Sequence, residues 1–140
     1  MSIWKTPLSL EKLNETRKNT LASTLDINFT EMTDHSLTAT MPVSPKTCQY
    51  MGILHGGASV ALAETVASAA GMMCVEGGYC VGLDINANHI RAAKNGLVTA
   101  VATPFHIGKS TQVWEIKITD DAGKLVCISR LTLANQYHAK

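Results

Sequence analysis

The sequence predicts an α+β fold in which an antiparallel sheet wraps around one long, central apolar helix. From Ala58 to about Val75 apolar residues cover every side of a helical projection, the pattern of a helix enclosed by protein. Four strand-like stretches follow, at about 80 to 93, 97 to 107, 111 to 119 and 124 to 134. Asn95-Gly96 is a strong two-residue hairpin signal and Asp121-Ala122-Gly123 a good turn, so a long antiparallel meander is expected.

Ser9 is placed to cap a short helix whose apolar members Leu10 and Leu13 lie one turn apart. Ile27 and Phe29 alternate with polar neighbours, and Leu37, Ala39 and Met41 do the same. The turn-like Thr33-Asp34-His35-Ser36 joins these runs into a strand pair. Pro42 and Pro45 open a loop that runs to Gly56 and Gly57, and Gly77-Gly78 is expected to end the long helix. With 140 residues and no repeat, linker or low-complexity stretch, one domain over residues 1–140 is expected.

Bulk chemistry excludes several classes. A net charge of +1 with 16% charged residues gives no field that would gather nucleic acid or an anionic membrane, so anion binding has to be local. The opening MSIWKTPLSLEKL has no apolar core of signal-peptide length, which makes the cytoplasm the expected location. Cys48, Cys74, Cys80 and Cys127 are scattered without a C-x-x-C pair and read as reduced structural thiols. His35 and His138 read as surface residues.

Glu64 is the anomaly. It interrupts GILHGGASVALAETVASAAG, where a carboxylate is out of place unless it is paired or employed. Gly56 and Gly57 stand where the helix begins, so unpaired N–H groups and the positive end of the helix dipole face whatever approaches. A bare Gly-Gly would ordinarily mean only a tight junction. Here His55 precedes it, Glu64 follows on the helix, and Ser68 lies one turn beyond on the same face. Eight residues of helix separate Gly56 from Glu64, roughly 12 Å along the axis, too far for both to touch one reacting carbonyl. If the glycines polarise a carbonyl and Glu64 attacks it or activates water, the two come from different copies of the chain, packed across a two-fold axis.

The stretch LHGGASVALAET, with Gln49 upstream and Asn-Ala-Asn-His-Ile-Arg (86 to 91) and Pro-Phe-His-Ile-Gly-Lys (104 to 109) downstream, resembles the hotdog-fold acyl-CoA thioesterases. More narrowly it is similar to the branch holding the Arthrobacter-type 4-hydroxybenzoyl-CoA thioesterases and the dihydroxynaphthoyl-CoA thioesterases of menaquinone biosynthesis. The resemblance reaches the N-terminal Ile-Trp-Lys and Leu-Asn. It implies a hydrolase acting on an aromatic acyl-CoA, with broad acyl tolerance, no cofactor beyond the coenzyme A of the substrate, and a homodimer that completes the site and pairs into a homotetramer. Carried over, Glu64 is the catalytic nucleophile or general base, and the Gly56 N–H of the other subunit polarises the thioester carbonyl. Gln49 and His55 lie beside that carbonyl, and Ser68 helps place the water or the departing thiolate. The coenzyme A contacts fall on Gly82, on His89, Ile90, Arg91 and Ala92, and on His106, Ile107, Gly108, Lys109, Ser110 and Thr111. Arg91 and Lys109 supply cations for phosphates. Tyr50-Met51 departs from the Pro-Phe of close relatives and alters the expected wall of the acyl pocket.

Three other functions remain at this level. A hotdog hydroxyacyl-carrier-protein dehydratase also pairs a loop histidine with a helix carboxylate, and is told apart by alkene absorbance against thiol release. An acyl-CoA-binding module without hydrolysis would have no use for Glu64, whose desolvation is costly. A cysteine hydrolase using Cys48 or Cys74 with His55 would be inactivated by alkylation. Met72 and Met73 suit a flat ring or a bent chain, though Met on a buried helix is more often core.

Overall fold

The computed structural model describes residues 1–139. Its elements are α1 (Leu10–Glu15), α2 (Leu21–Thr24), β1 (Asn28–Met32), β2 (Leu37–Pro42), α3 (Gly56–Met72), β3 (Gly78–His89), β4 (Leu97–Ile107), β5 (Thr111–Thr119) and β6 (Leu125–Tyr137). The strands form one six-stranded sheet in the order β1-β2-β4-β5-β6-β3, and every neighbouring pair is antiparallel. Alternation along β5 buries Gln112, Trp114, Ile116 and Ile118 against the helix. Leu62 of α3 is fully buried in the same core, where truncation to Ala costs ~2–5 kcal/mol.

α1 begins as expected, with Ser9 accepting from Lys12 N. α3 starts two residues earlier than its apolar pattern suggests, because His55 caps it by accepting from Gly57 N through its side chain. It also ends earlier, at Met72. Met73, Cys74 and Val75 are buried as core beneath the chain reversal, so their apolarity reflects burial and not helix. The Met73 carbonyl accepts Lys5 N (2.8 Å) and Thr6 N (3.0 Å), tying the N-terminal strap to the end of the helix. That strap also lays Trp4 against Trp114, with ring centroids 6.4 Å apart and planes within 6°.

The helix is covered on one side. Ala58, Ser59, Leu62, Ala63, Val66, Ala67, Ala70 and Gly71 are buried, whereas Gly57, Ala61, Glu64, Ser68 and Met72 form a stripe that the sheet of the same chain leaves partly or fully open. The open stripe is where the helix carries its polar residues Glu64 and Ser68.

The meander expectation needs one correction. Asn95-Gly96 does not close a hairpin, since β3 pairs with β6 and β4 pairs with β2 and β5. Gly96 does adopt the left-handed turn conformation (φ +75°), but its carbonyl accepts Val43 N at 2.8 Å and Asp121 Oδ2 accepts Leu97 N at 3.2 Å. The turn therefore launches β4 beside β2 at the end of a crossover. The β5–β6 turn is as expected: Gly123 has φ +77° and Asp120 Oδ1 accepts both Ala122 N and Lys124 N.

β3 is one of the two edge strands, and of its residues only Cys80 is buried. A bulge between Gly82 and Asp84 inserts Leu83, so Gly82 faces Leu133 while Asp84 faces Thr132. The extra residue switches which positions look toward α3. Cys80 and Gly82 face the helix before it; Ile85, Ala87 and His89 face it after.

Candidate active site

The N-terminus of α3 opens onto a cleft of about 280 Å³ lined by Gln49, Gly56, Ser59, His89, Ile90 and Arg91, with Ala92 and Val126 at its margin. One helix-end donor is already used, because His55 Nδ1 accepts Gly57 N at 2.8 Å. Ala58 N and Ser59 N both donate to the His55 carbonyl. Among the described residues nothing accepts the Gly56 N–H. It is thus a helix-end donor left free, at the positive end of a 17-residue helix. The His89 ring lies so close that a Cβ on Gly56 would be 2.9 Å from its Nε2. Gln49 is held by a tight loop, its N–H donating to Ile53 O and its Oε1 accepting Met51 N.

Glu64 lies elsewhere. Its half-buried carboxylate rests over Gly82, where a side chain would collide with Oε2. Ser68, one turn on, lines a separate cavity of about 310 Å³ with Thr65, Ala69, Phe29, Leu21 and Ala22. The residues His106, Ile107, Gly108, Lys109, Ser110 and Thr111 form the β4–β5 turn, with Gly108 N donating to Thr111 O at 2.9 Å and the His106 ring packed on Gly108. Lys109 and Ser110 are exposed, at the end of the sheet opposite His89–Ala92, since Ser110 O accepts Asn135 N whereas Ile90 N and Arg91 N both donate to Val126 O.

Within one chain, then, Gln49, Gly56, His89, Ile90, Arg91 and Ala92 come together, His55 stands beside them as the cap, Glu64 joins Gly82 with Ser68 next in line, and His106–Thr111 form a third group. Ser59 in the cleft and Thr65 and Ala69 beside Ser68 are the neighbours the sequence reading passed over. Thr65 lies one turn before Ser68, a spacing that a helical projection centred on Ser68 would have picked out.

Three cysteines are unsuited to nucleophilic work. Burial pushes the Cys74 and Cys80 thiols up to about 11, and it raises Cys127 as well. All four cysteines are free. Among the described residues no group of three or more His, Cys, Asp or Glu side chains gathers as metal ligands, and no helix is long and apolar enough to cross a membrane.

A six-stranded antiparallel sheet lying along one long helix, with a carboxylate midway and a Gly-Gly at its start, is the hotdog arrangement of a thioester hydrolase. The chain belongs to the thioesterase superfamily, whose family model matches residues 51–127. It is 50% identical over 133 residues to the 1,4-dihydroxy-2-naphthoyl-CoA hydrolase of Escherichia coli, covering 94% of this chain and 98% of that protein. It is 48% identical over 133 residues to the proofreading thioesterase EntH of Cronobacter turicensis, with 94% and 97% covered. A thioesterase structure from Haemophilus influenzae superposes with a TM-score of 0.96 at 47% identity, covering 99% of this chain and 97% of that one.

Proposed function

We propose that the protein hydrolyses the thioester of an aromatic acyl-CoA to the free acid and coenzyme A, at a site shared by two copies of the chain. The carrying observation is that Glu64 and the Gly56 cleft are separate in one chain, while the strand between them presents an open edge.

β3 runs alongside α3 in the opposite direction, with His89 at Gly56, Gly82 at Glu64 and Cys80 at Gly71. Its outer edge has no partner among the described residues, and Val81 (45%) and Leu83 (62%) are exposed on it. A long apolar edge of this kind calls for cover. Antiparallel pairing of two such edges about a two-fold axis near Ile85 and Asn86 sets Gly82 opposite His89 of the partner subunit. Glu64 then meets the partner's Gly56. The same pairing brings Cys80 beside the partner's Arg91. Since Cys80 pairs with Asn135, whose N–H donates to Ser110 O, the turn at 106–111 lies on that side too, roughly 10 Å from the edge at two strand spacings. One symmetric contact thus gathers three groups that a single chain holds apart.

In this reading the partner's Gly56 N–H and helix dipole polarise the thioester carbonyl and stabilise the oxyanion as it develops. Glu64 either attacks the carbonyl carbon or takes the proton of a water that does. With water, the oxygen adds to carbon, the proton passes to the carboxylate, and collapse breaks the C–S bond as the thiolate takes that proton. Gln49 and His55 stand beside the carbonyl and Ser68 helps hold the water. Arg91 and Lys109 bind phosphates, His89–Ala92 and His106–Thr111 frame the nucleotide, and Gly82 admits the carboxylate. The group leaving is the substrate's own coenzyme A, and no further cofactor takes part. The E. coli relative, named for a dihydroxynaphthoyl-CoA, supports an aromatic acyl group and a place in menaquinone biosynthesis. Dimers pair into tetramers in the cytoplasm.

The test is thiol release from a panel of aromatic and aliphatic acyl-CoAs. Higher kcat/KM for the aromatic members is expected. Faster aliphatic turnover would overturn the acyl preference, and no release from any member would overturn the function.

A further inference from the structure

We propose that Asn135 is a positioning residue that shapes the turn Gly108–Ser110 into a phosphate cradle, and that a buried Gln112 holds Asn135 for this purpose. The proposal rests on the reading of the substrate as a coenzyme A thioester.

Gln112 is fully buried in an otherwise apolar core, a costly place for an amide unless every polar atom is paired. It is paired throughout. Trp114 Nε1 donates to Gln112 Oε1 at 2.8 Å, and an indole N–H can only donate, which fixes the orientation of the amide. Gln112 Nε2 therefore faces Gly71 O at 3.2 Å and Asn135 Oδ1 at 2.9 Å. The second contact fixes Asn135 in turn. Its Nδ2 faces outward and donates to Gly108 O (2.9 Å) and Lys109 O (3.1 Å). Its backbone N–H donates to Ser110 O at 2.9 Å, and Tyr137 Oη donates to Lys109 O at 2.6 Å.

Three successive carbonyls are thus drawn inward by one residue and its neighbour. The N–H groups of Lys109 and Ser110 find no acceptor among the described residues, and the Lys109 side chain is exposed beside them. Successive outward amides with an adjacent cation are a concavity for an anion. With its carbonyls unheld, the same turn would be free to rotate them toward the phosphate and repel it. A network anchored on a fully buried and fully paired amide specifies one geometry, and at its outer end that geometry is the turn's. A hairpin needing stability alone could have filled the Gln112 site with a leucine.

The test compares an aromatic acyl-CoA with the same acyl group on N-acetylcysteamine, which lacks the nucleotide. For Asn135→Ser the KM for the acyl-CoA should rise on the order of 10-fold, the effect of losing about one net hydrogen bond's worth of binding, with kcat and the truncated substrate's kcat/KM changed by less than about twofold. Tyr137→Phe removes a donor at a half-exposed position without touching the core, and should raise the acyl-CoA KM about two- to threefold in the same selective way. It keeps the test open should Asn135→Ser fold poorly. Lys109→Ala is the benchmark. If it discriminates between the two substrates and neither Asn135→Ser nor Tyr137→Phe does, the positioning role is overturned and the coenzyme A reading stands. If Lys109→Ala also fails to discriminate, the turn is no phosphate site and both fall.

Discussion

At Gly82 a missing side chain leaves room for a present one. A Cβ there would run into the Glu64 carboxylate, while the next residue it would meet, Leu131, lies at 3.9 Å, so the carboxylate is what would move. Gly82→Ala should lower kcat about 10-fold or more with little change in KM, because displacing the reacting group affects the transition state more than binding. An unchanged kcat would show that Glu64 does not work from this position. Glu64→Gln keeps shape and fold, measured by circular dichroism, and should cost roughly 10²-fold in kcat. Iodoacetamide at pH 8 should leave Cys74 and Cys80 unalkylated, as read by peptide mass spectrometry, since thiols at about 11 are protonated there and both are buried. The placement of Glu64 within the apolar helix and of Gly56 at its start is legible in the sequence. A carboxylate in an apolar helix and a Gly-Gly at its start are local anomalies that any reading of the chain meets. The partnership of Glu64 with Gly82 is not, because it depends on which way a strand residue faces across a bulge, and no local pattern records that.

Among the elements, β3 carries the largest dependence on a single residue. Leu83 shifts the alternation so that Gly82 and His89, seven positions apart and of opposite parity, both face α3. Deleting Leu83 should turn one of the two away from the helix, abolishing thioester hydrolysis and weakening the proposed pairing of β3 edges, as read by thiol release and light scattering. Retention of both would show that the two faces of β3 are not used in this way. Other element-scale misses share a cause. Asn95-Gly96 has the chemistry of a hairpin, yet partner choice is decided by Val43 and Asp121, far off in sequence. α2 leaves little signal in the sequence because it is four residues long and the Thr20 side chain donates to Arg17 O instead of capping it. Met73–Val75 look helical because burial selects the same residues in a chain reversal as in a helix.

For the molecule as a whole, the geometry of α3 predicts complementation. A Glu64→Ala chain and a Gly56→Val chain, the latter crowding the His89 ring, should each be inactive or impaired. Refolded together in equal amounts, about half the dimers would be mixed and each would hold one intact site of two, restoring roughly a quarter of wild-type activity. No recovery with mixed dimers confirmed by mass spectrometry would place the site within one chain. The N-terminal strap has a different consequence. Trp4 and Trp114 are the chain's two tryptophans, and they lie nearly parallel at 6.4 Å. Chromophores stacked this closely couple their excited states, so the protein carries an unlabelled optical gauge. A split ultraviolet dichroism signal should report that the strap is seated, and through Lys5, Thr6 and the Met73 carbonyl it also reports on the far end of the helix that bears Glu64. Truncating Trp4 to Ala should erase the split without unfolding the sheet, turning local loosening at that helix end into something visible in solution.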